Sequence, residues 1–199
     1  MAEFLLQIDK SLFELFNWTL TNSFFDTIMP IITDINKVWW GQAIIICSFL
    51  LLLWKGGRKG RIVGVVLIIL IGVSDQLNST FIKKIIMRPR PCHEINGHVM
   101  MEHIRLLVPC GSGYSFPSSH AVNGFAIGTF LSVYYKKYAW AFYTYAIVIS
   151  YSRVYVGVHY PYDVFVGGLV GSVCALVMVY VLQMAGRYWS PIEIKNIPN

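Results

Sequence analysis

Apolar runs bounded by charge dominate the chain. Residues 38–54 carry no charge, are rich in Ile and Leu, and lie between Lys37 and Lys55. At a rise of 1.5 Å per residue a helix of that length reaches about 25 Å, enough to cross the hydrocarbon of a bilayer. Residues 62–82 hold one charge, Asp75, and run into the basic cluster Lys83, Lys84, Arg88 and Arg90. Pro109, Gly111, Gly113 and Pro117 break the next uncharged stretch, so a helix is predicted from near Ser118 to a stop at Lys136 and Lys137. Residues 138–152 make a fourth span after a very short turn, and residues 164–186, opened by Pro161 and closed by Arg187, make the clearest span.

The first 37 residues are more mixed, because Asp9, Lys10, Glu14, Asp26 and Asp34 interrupt Phe, Leu, Ile and Trp at roughly helical spacing. Residues 11–33 are nearly long enough to span, with polar side chains facing a bundle interior, so a sixth crossing is predicted over an interfacial helix. The expected fold class is therefore all-α, a polytopic membrane bundle of six transmembrane helices forming one domain over residues 1–199. Residues 1–37 are its N-terminal helical segment and residues 87–117 an extracytoplasmic loop. No cleavable signal pattern, internal repeat or low-complexity linker is expected. The short loop holding Lys55, Arg58, Lys59 and Arg61, and the Lys136–Lys137 turn, belong on the cytoplasmic side by the positive-inside rule. Alternation then carries residues 87–117 and the connection at His159 to the outer face of a cell membrane.

Composition agrees with this reading. Of 199 residues, 56% are hydrophobic and 13% charged, and the mean hydropathy is +0.57, which fits neither an ordinary soluble domain nor a disordered chain. The formal charge of +6 sits at the ends of apolar runs, where it meets lipid headgroups and anionic substrates. No basic stripe interleaved with aromatics marks a nucleic-acid partner, and no obligatory protein partner is called for.

The outer end collects the chemistry. Lys83, Arg90 and Arg153 place three cations around one spot, which is costly at a membrane edge unless an anion neutralises them, and a phosphate dianion does so. Ser118 and Ser119 sit at a helix start, where unpaired N–H groups and the positive end of the helix dipole favour an anion. His159 and Asp163 are four apart; on a helix they share a face, the carboxylate taking one ring N–H while the other nitrogen serves as nucleophile. Pro161 between them fits a first helical turn. His120 is placed to protonate a departing oxygen.

These residues resemble the three signature motifs of the type 2 phosphatidic acid phosphatase family. Lys83, Arg90 and Pro91 match its first motif; Pro117, Ser118 and His120 match its second, with Ser119 where glycine is usual; Ser152, Arg153, His159 and Asp163 match its third. The resemblance implies a membrane lipid phosphatase in which His159 attacks phosphorus and forms a phosphohistidine. Asp163 fixes the tautomer of His159, and His120 acts as the acid. Lys83, Arg90, Ser118, Ser119 and Arg153 bind the phosphate, and neither metal nor cofactor is required. Small bacterial members resemble phosphatidylglycerophosphatase B, so conversion of phosphatidylglycerophosphate to phosphatidylglycerol is the leading expectation and undecaprenyl pyrophosphate the runner-up. A non-catalytic lipid-binding or transport protein is the reading from another class; intact His120, His159 and Asp163 weigh against it.

Other signals carry less. His93, Glu94, His98, Glu102 and His103 are zinc-ligating types at a spacing that fits no closed structural site, so they read as a solvated loop. Cys92 and Cys110 share the outer loop and are candidates for a disulfide, worth about 3 kcal/mol in the chain-entropy model. Asp75, Ser79 and Lys83 follow an i, i+4, i+8 ladder, in which Asp75 is either functional or a bundle contact. Trp39 and Trp40 read as interface anchors.

Overall fold

The computed structural model describes residues 2–95 and 98–188. It is a helical bundle carrying one small β-ribbon. Helix α1 (Ala2–Glu14) runs into a π-helical turn, Leu15–Thr19, and breaks at residues 20–22 before α2 (Ser23–Thr33). Asn22 caps α2 by accepting the Phe25 N–H at 2.9 Å. Helices α3 (Trp39–Lys55) and α4 (Gly57–Gln76) follow, and α4 continues through a second π-helical stretch, Leu77–Ile82, into α5 (Lys83–Ile86). Met87, at φ 51°, stops the helix, and Pro89 and Pro91 keep it stopped.

Strands β1 (Glu94–Ile95) and β2 (His98–Val99) form an antiparallel ribbon in the loop before α6 (Ser119–Tyr134). A 3₁₀ turn at Lys136–Tyr138 leads to α7 (Ala139–Tyr155), and α8 (Pro161–Tyr188) closes the bundle. Two continuous helices, Gly57–Ile86 and Pro161–Gly186, are long and apolar enough to cross a membrane. Helices α3, α6 and α7, at 16 or 17 residues each, reach about 25 Å.

Helix α6 is the hub, packed on α4, α7 and α8. Val63, Val66, Leu67 and Leu70 of α4 meet Ala126 and Phe130 of α6 and Ala175 and Val179 of α8 in one buried cluster. Small residues permit the closest approach: a Cβ on Gly171 would stand 2.0 Å from the Val122 carbonyl oxygen, and one on Gly167 2.9 Å from that of Ser118. This contact seats the start of α6 directly against the start of α8. Outward-facing Leu50, Leu51, Ile68, Ile69, Phe165, Leu169 and Leu176 are exposed, a surface that suits lipid rather than water.

Residues 11–33, expected as a sixth crossing, do not run as one helix: the segment breaks at residues 20–22 between the Leu15–Thr19 turn and α2. Asp9 pairs with Arg88, Asn17 donates to the Tyr155 carbonyl, the Asn22 N–H donates to the Tyr155 hydroxyl, and Thr33 accepts from Arg153. All three partner residues lie at the end where α5 and α7 stop and α6 and α8 begin. The segment therefore folds over that end as α1 and α2. Its polar side chains find hydrogen-bond partners there, whereas a spanning helix would hold them in lipid.

Candidate active site

The connection between α7 and α8 sets the central pair. Gly157, at φ +88°, makes the turn after α7, and a Cβ there would lie 2.6 Å from the Arg105 carbonyl oxygen. The N–H groups of Val158 and His159 both donate to the Arg153 carbonyl at 3.2 Å. His159 thus precedes α8, which corrects the expectation of a shared helical face. Asp163, in the first turn of α8, folds back instead: its Oδ2 accepts the Tyr160 N–H at 2.8 Å and stands 3.4 Å from His159 Nδ1.

Nδ1 faces a carboxylate and Nε2 lies 3.3 Å from Arg90 Nη1, a donor, so the neutral ring carries its proton on Nδ1 and its lone pair on Nε2. Burial holds His159 below the ordinary histidine value, and the charges of Arg90 and Arg153 act the same way against the opposing pull of Asp163.

Of the three cations, Arg90 is the one within hydrogen-bond distance of Nε2. Arg90 donates from Nε to the Gly113 carbonyl at 2.8 Å and from Nη1 to that of Val158 at 3.2 Å. Lys83 Nζ donates to the Tyr114 carbonyl at 2.7 Å. Arg153 is 8% exposed; its Nη1 donates to Thr33 Oγ1 at 2.8 Å and stands 3.8 Å from Asp34, while its buried Nε has no partner. Arg90 and Arg153 are near enough for their charges to act on Lys83 and on each other, an arrangement that favours an anion.

Ser118 is buried with its hydroxyl unpartnered, but its N–H is committed to the Asp163 carbonyl at 2.9 Å. The amides ahead of the first intrahelical bond of α6, Val122 N–H to the Ser118 carbonyl, are therefore those of Ser119, His120 and Ala121. The Ser119 hydroxyl accepts from Asn78 Nδ2 at 2.9 Å. His120 lies in the same turn and lines an adjoining cavity.

Three residues join the site without having been singled out for it. Arg88 donates from Nη1 to Asp163 Oδ1 at 2.8 Å and from Nη2 to Asp9 Oδ2 at 2.6 Å, with its guanidinium 3.9 Å above the Tyr160 ring. Asp9, fully buried, also accepts the Tyr162 N–H at 2.8 Å. Ser115 donates to Asp163 Oδ2 and lies 3.4 Å from His159 Nδ1. Arg88 had been visible only as part of a span-flanking basic cluster. The Arg-Pro-Arg-Pro sequence was the available signal, since prolines fix two arginines on one extended segment.

Cys92 and Cys110 are bridged, with Cα atoms 6.1 Å apart, while Cys47 and Cys174 are free. The loop histidines go separate ways: His93 Nε2 lies 2.9 Å from the Gly111 carbonyl, and His103 packs on Trp18 at 5.5 Å. The side chain of His98 is outside the described residues. Trp39, at the start of α3, is 80% exposed. Asp75 pairs across the bundle, accepting from Asn123 Nδ2 at 3.4 Å, and Lys83 turns to Tyr114, so the Asp75–Ser79–Lys83 spacing does not close into a bonded ladder.

The PAP2 superfamily profile matches residues 59–187, which include every motif residue named above. A lipid A 4'-phosphatase of Bacteroides thetaiotaomicron is 30% identical over 179 residues, covering 86% of this chain and 76% of that one. An undecaprenyl-diphosphatase of Sulfolobus acidocaldarius is 33% identical over 133 residues, covering 66% of this chain and 60% of that one. A transmembrane PAP2-type phosphatidylglycerolphosphate phosphatase from Bacillus subtilis superposes with a TM-score of 0.69 at 19% identity, covering 93% of this chain and 89% of the other. That last likeness is one of fold.

Proposed function

The chain belongs to the PAP2 superfamily of phosphatases, and on that premise we propose that it removes a terminal phosphate from a membrane lipid through a covalent intermediate on His159. The observation that carries this reading is the orientation of His159: Nδ1 toward Asp163 and Nε2 toward Arg90, 3.3 Å away, where the cations would hold a phosphorus centre. Nε2 attacks phosphorus as the ester P–O bond breaks, and His120 gives a proton to the departing oxygen. Water then attacks the phosphohistidine with His120 as base, releasing inorganic phosphate. Lys83, Arg90, Arg153, the Ser118 hydroxyl and the amides at Ser119 and His120 stabilise charge on the equatorial oxygens. Asp163 holds the tautomer and stabilises the imidazolium character of the intermediate.

The substrate in this reading is a phosphomonoester on a lipid head group, with phosphatidylglycerophosphate the leading candidate and a sugar phosphate supported by the lipid A 4'-phosphatase relative. The Sulfolobus relative favours a second reading, an isoprenyl diphosphate such as undecaprenyl pyrophosphate. Residues 1–199 act as one domain in which α3, α4 with α5, α6, α7 and α8 make five crossings. The basic turns at residues 55–61 and 136–137 lie at the end opposite the site, so the site faces outward, the side on which a Cys92–Cys110 bridge persists.

Phosphate release from phosphatidylglycerophosphate in detergent with chelator tests the mechanism. Wild type is expected to be active and His159→Ala slower by about a thousandfold or more, the scale of removing a nucleophile. Equal release by both would remove His159 from the mechanism.

A further inference from the structure

Beside the cationic cradle, α3, α4, α6 and α7 enclose a cavity of about 270 Å³. At roughly 30 Å³ per water it has room for a glycerol unit or one sugar ring. His120 and Ser119 stand on its wall, and Asp75 and Asn123 face them among Ile35, Ile45, Ile127, Tyr145 and Ile149. Asn123 is held in place from both sides: its Oδ1 accepts from Ser74 at 3.2 Å and its Nδ2 donates to Asp75 at 3.4 Å. None of Lys83, Arg90 and Arg153 lines this space; those cations belong to the phosphate side of the site. Ile45 and Tyr145 on its rim are 47% and 44% exposed, so the cavity opens toward the lipid-facing surface.

A carboxylate, an amide and a hydroxyl set in an apolar wall form a site for a neutral ligand that donates hydrogen bonds. A second phosphate placed there meets the Asp75 carboxyl directly, while Lys83, Arg90 and Arg153 stay off the wall and act on it only from a distance.

We propose that this cavity receives the alcohol part of the substrate. In it, Asp75 and Asn123 select a hydroxylated head group, glycerol or sugar, over a diphosphate. The inference rests on the reading of His120 as the acid for the leaving oxygen, since the group leaving past His120 is then the one beside it in the cavity. It gives Asp75 a role beyond its bundle contact with Asn123.

The test compares kcat/KM for phosphatidylglycerophosphate and for undecaprenyl diphosphate in matched micelles, with full-length wild type, Asp75→Asn and Asn123→Asp. Wild type is expected to prefer the hydroxylated phosphomonoester. Asp75→Asn narrows that preference about tenfold, mainly by raising the diphosphate rate, and Asn123→Asp, which adds a second carboxylate, widens it by a similar factor. The opposite signs keep the idea testable if one variant fails to fold. A preference unchanged within twofold in whichever variants fold, with wild type active, overturns the cavity assignment alone. Absence of phosphate release from either lipid by wild type overturns the phosphatase reading and this one with it.

Discussion

Arg88 holds Asp163, the partner of the proposed nucleophile His159, without reaching Nε2. It neutralises one oxygen of Asp163 while the other oxygen faces His159, and Asp9 and the Tyr160 ring fix the guanidinium from behind. Removing one member of such a buried pair costs about 3–5 kcal/mol, because the remaining charge is left uncompensated. The effect on pH dependence has a definite sign. The charged groups facing His159 are Asp163, Arg90 and Arg153, and Asp163 alone among them favours the imidazolium. Arg88→Met unmasks Asp163, raises the His159 pKa, and moves the acid limb of kcat/KM to higher pH, since attack requires the neutral ring. Arg88→Lys keeps the charge and restores part of the shift. A pH profile unmoved by Arg88→Met would reduce Arg88 to scaffolding. The residues of the cradle were legible in the sequence because phosphate chemistry demands fixed types at fixed helix ends. Asp9 and Ser115 were not, because their importance comes from partners 79 and 48 positions away that no local spacing reveals.

Helices were easier to read than their ends. Uncharged runs located α3, α6, α7 and α8 to within a few residues, since lipid-facing surface forces the apolar pattern. The segment over residues 11–33 reads as one helix by length and hydropathy, but it breaks at residues 20–22, where Asn17 and Asn22 serve as hydrogen-bonding posts on Arg105 and Tyr155. Both π-helical stretches carry a fully buried asparagine, Asn17 and Asn78, and each ties its helix to a neighbouring backbone carbonyl. Glycine spacing on α8 marks the other decisive contact. Gly171→Leu drives side-chain atoms into the Val122 carbonyl and is expected to cost about 3 kcal/mol, the upper range for overpacking, with a lower thermal midpoint in detergent and lost activity as the start of α6 shifts. Gly72→Ala, where a Cβ meets nothing within 4 Å, is expected to be neutral or to stabilise by about 0.5–1 kcal/mol. Equal midpoints for the two variants would refute the close-approach argument.

At the scale of the whole chain, the proposed five-crossing arrangement would put α1, α2 and the bridged loop on the same side as the site, with the basic turns opposite. Single-cysteine labelling with an impermeant thiol reagent on intact cells reads this directly. Glu3→Cys and Glu102→Cys are expected to label, and Lys59→Cys only after permeabilisation; protection of Glu3→Cys until permeabilisation would reinstate a sixth crossing. The Asp9 clamp also dictates an order of birth. The carboxylate at position 9 emerges from the ribosome long before its partners, Arg88 at a separation of 79 residues and the Tyr162 amide at 153, and an ionised acid cannot wait in hydrocarbon at low cost. It must linger in water until the final hydrophobic stretch has been threaded. A half-inserted chain therefore lacks the assembled His159–Asp163 pair, and on the mechanism proposed above it leaves the phosphates of its host membrane untouched.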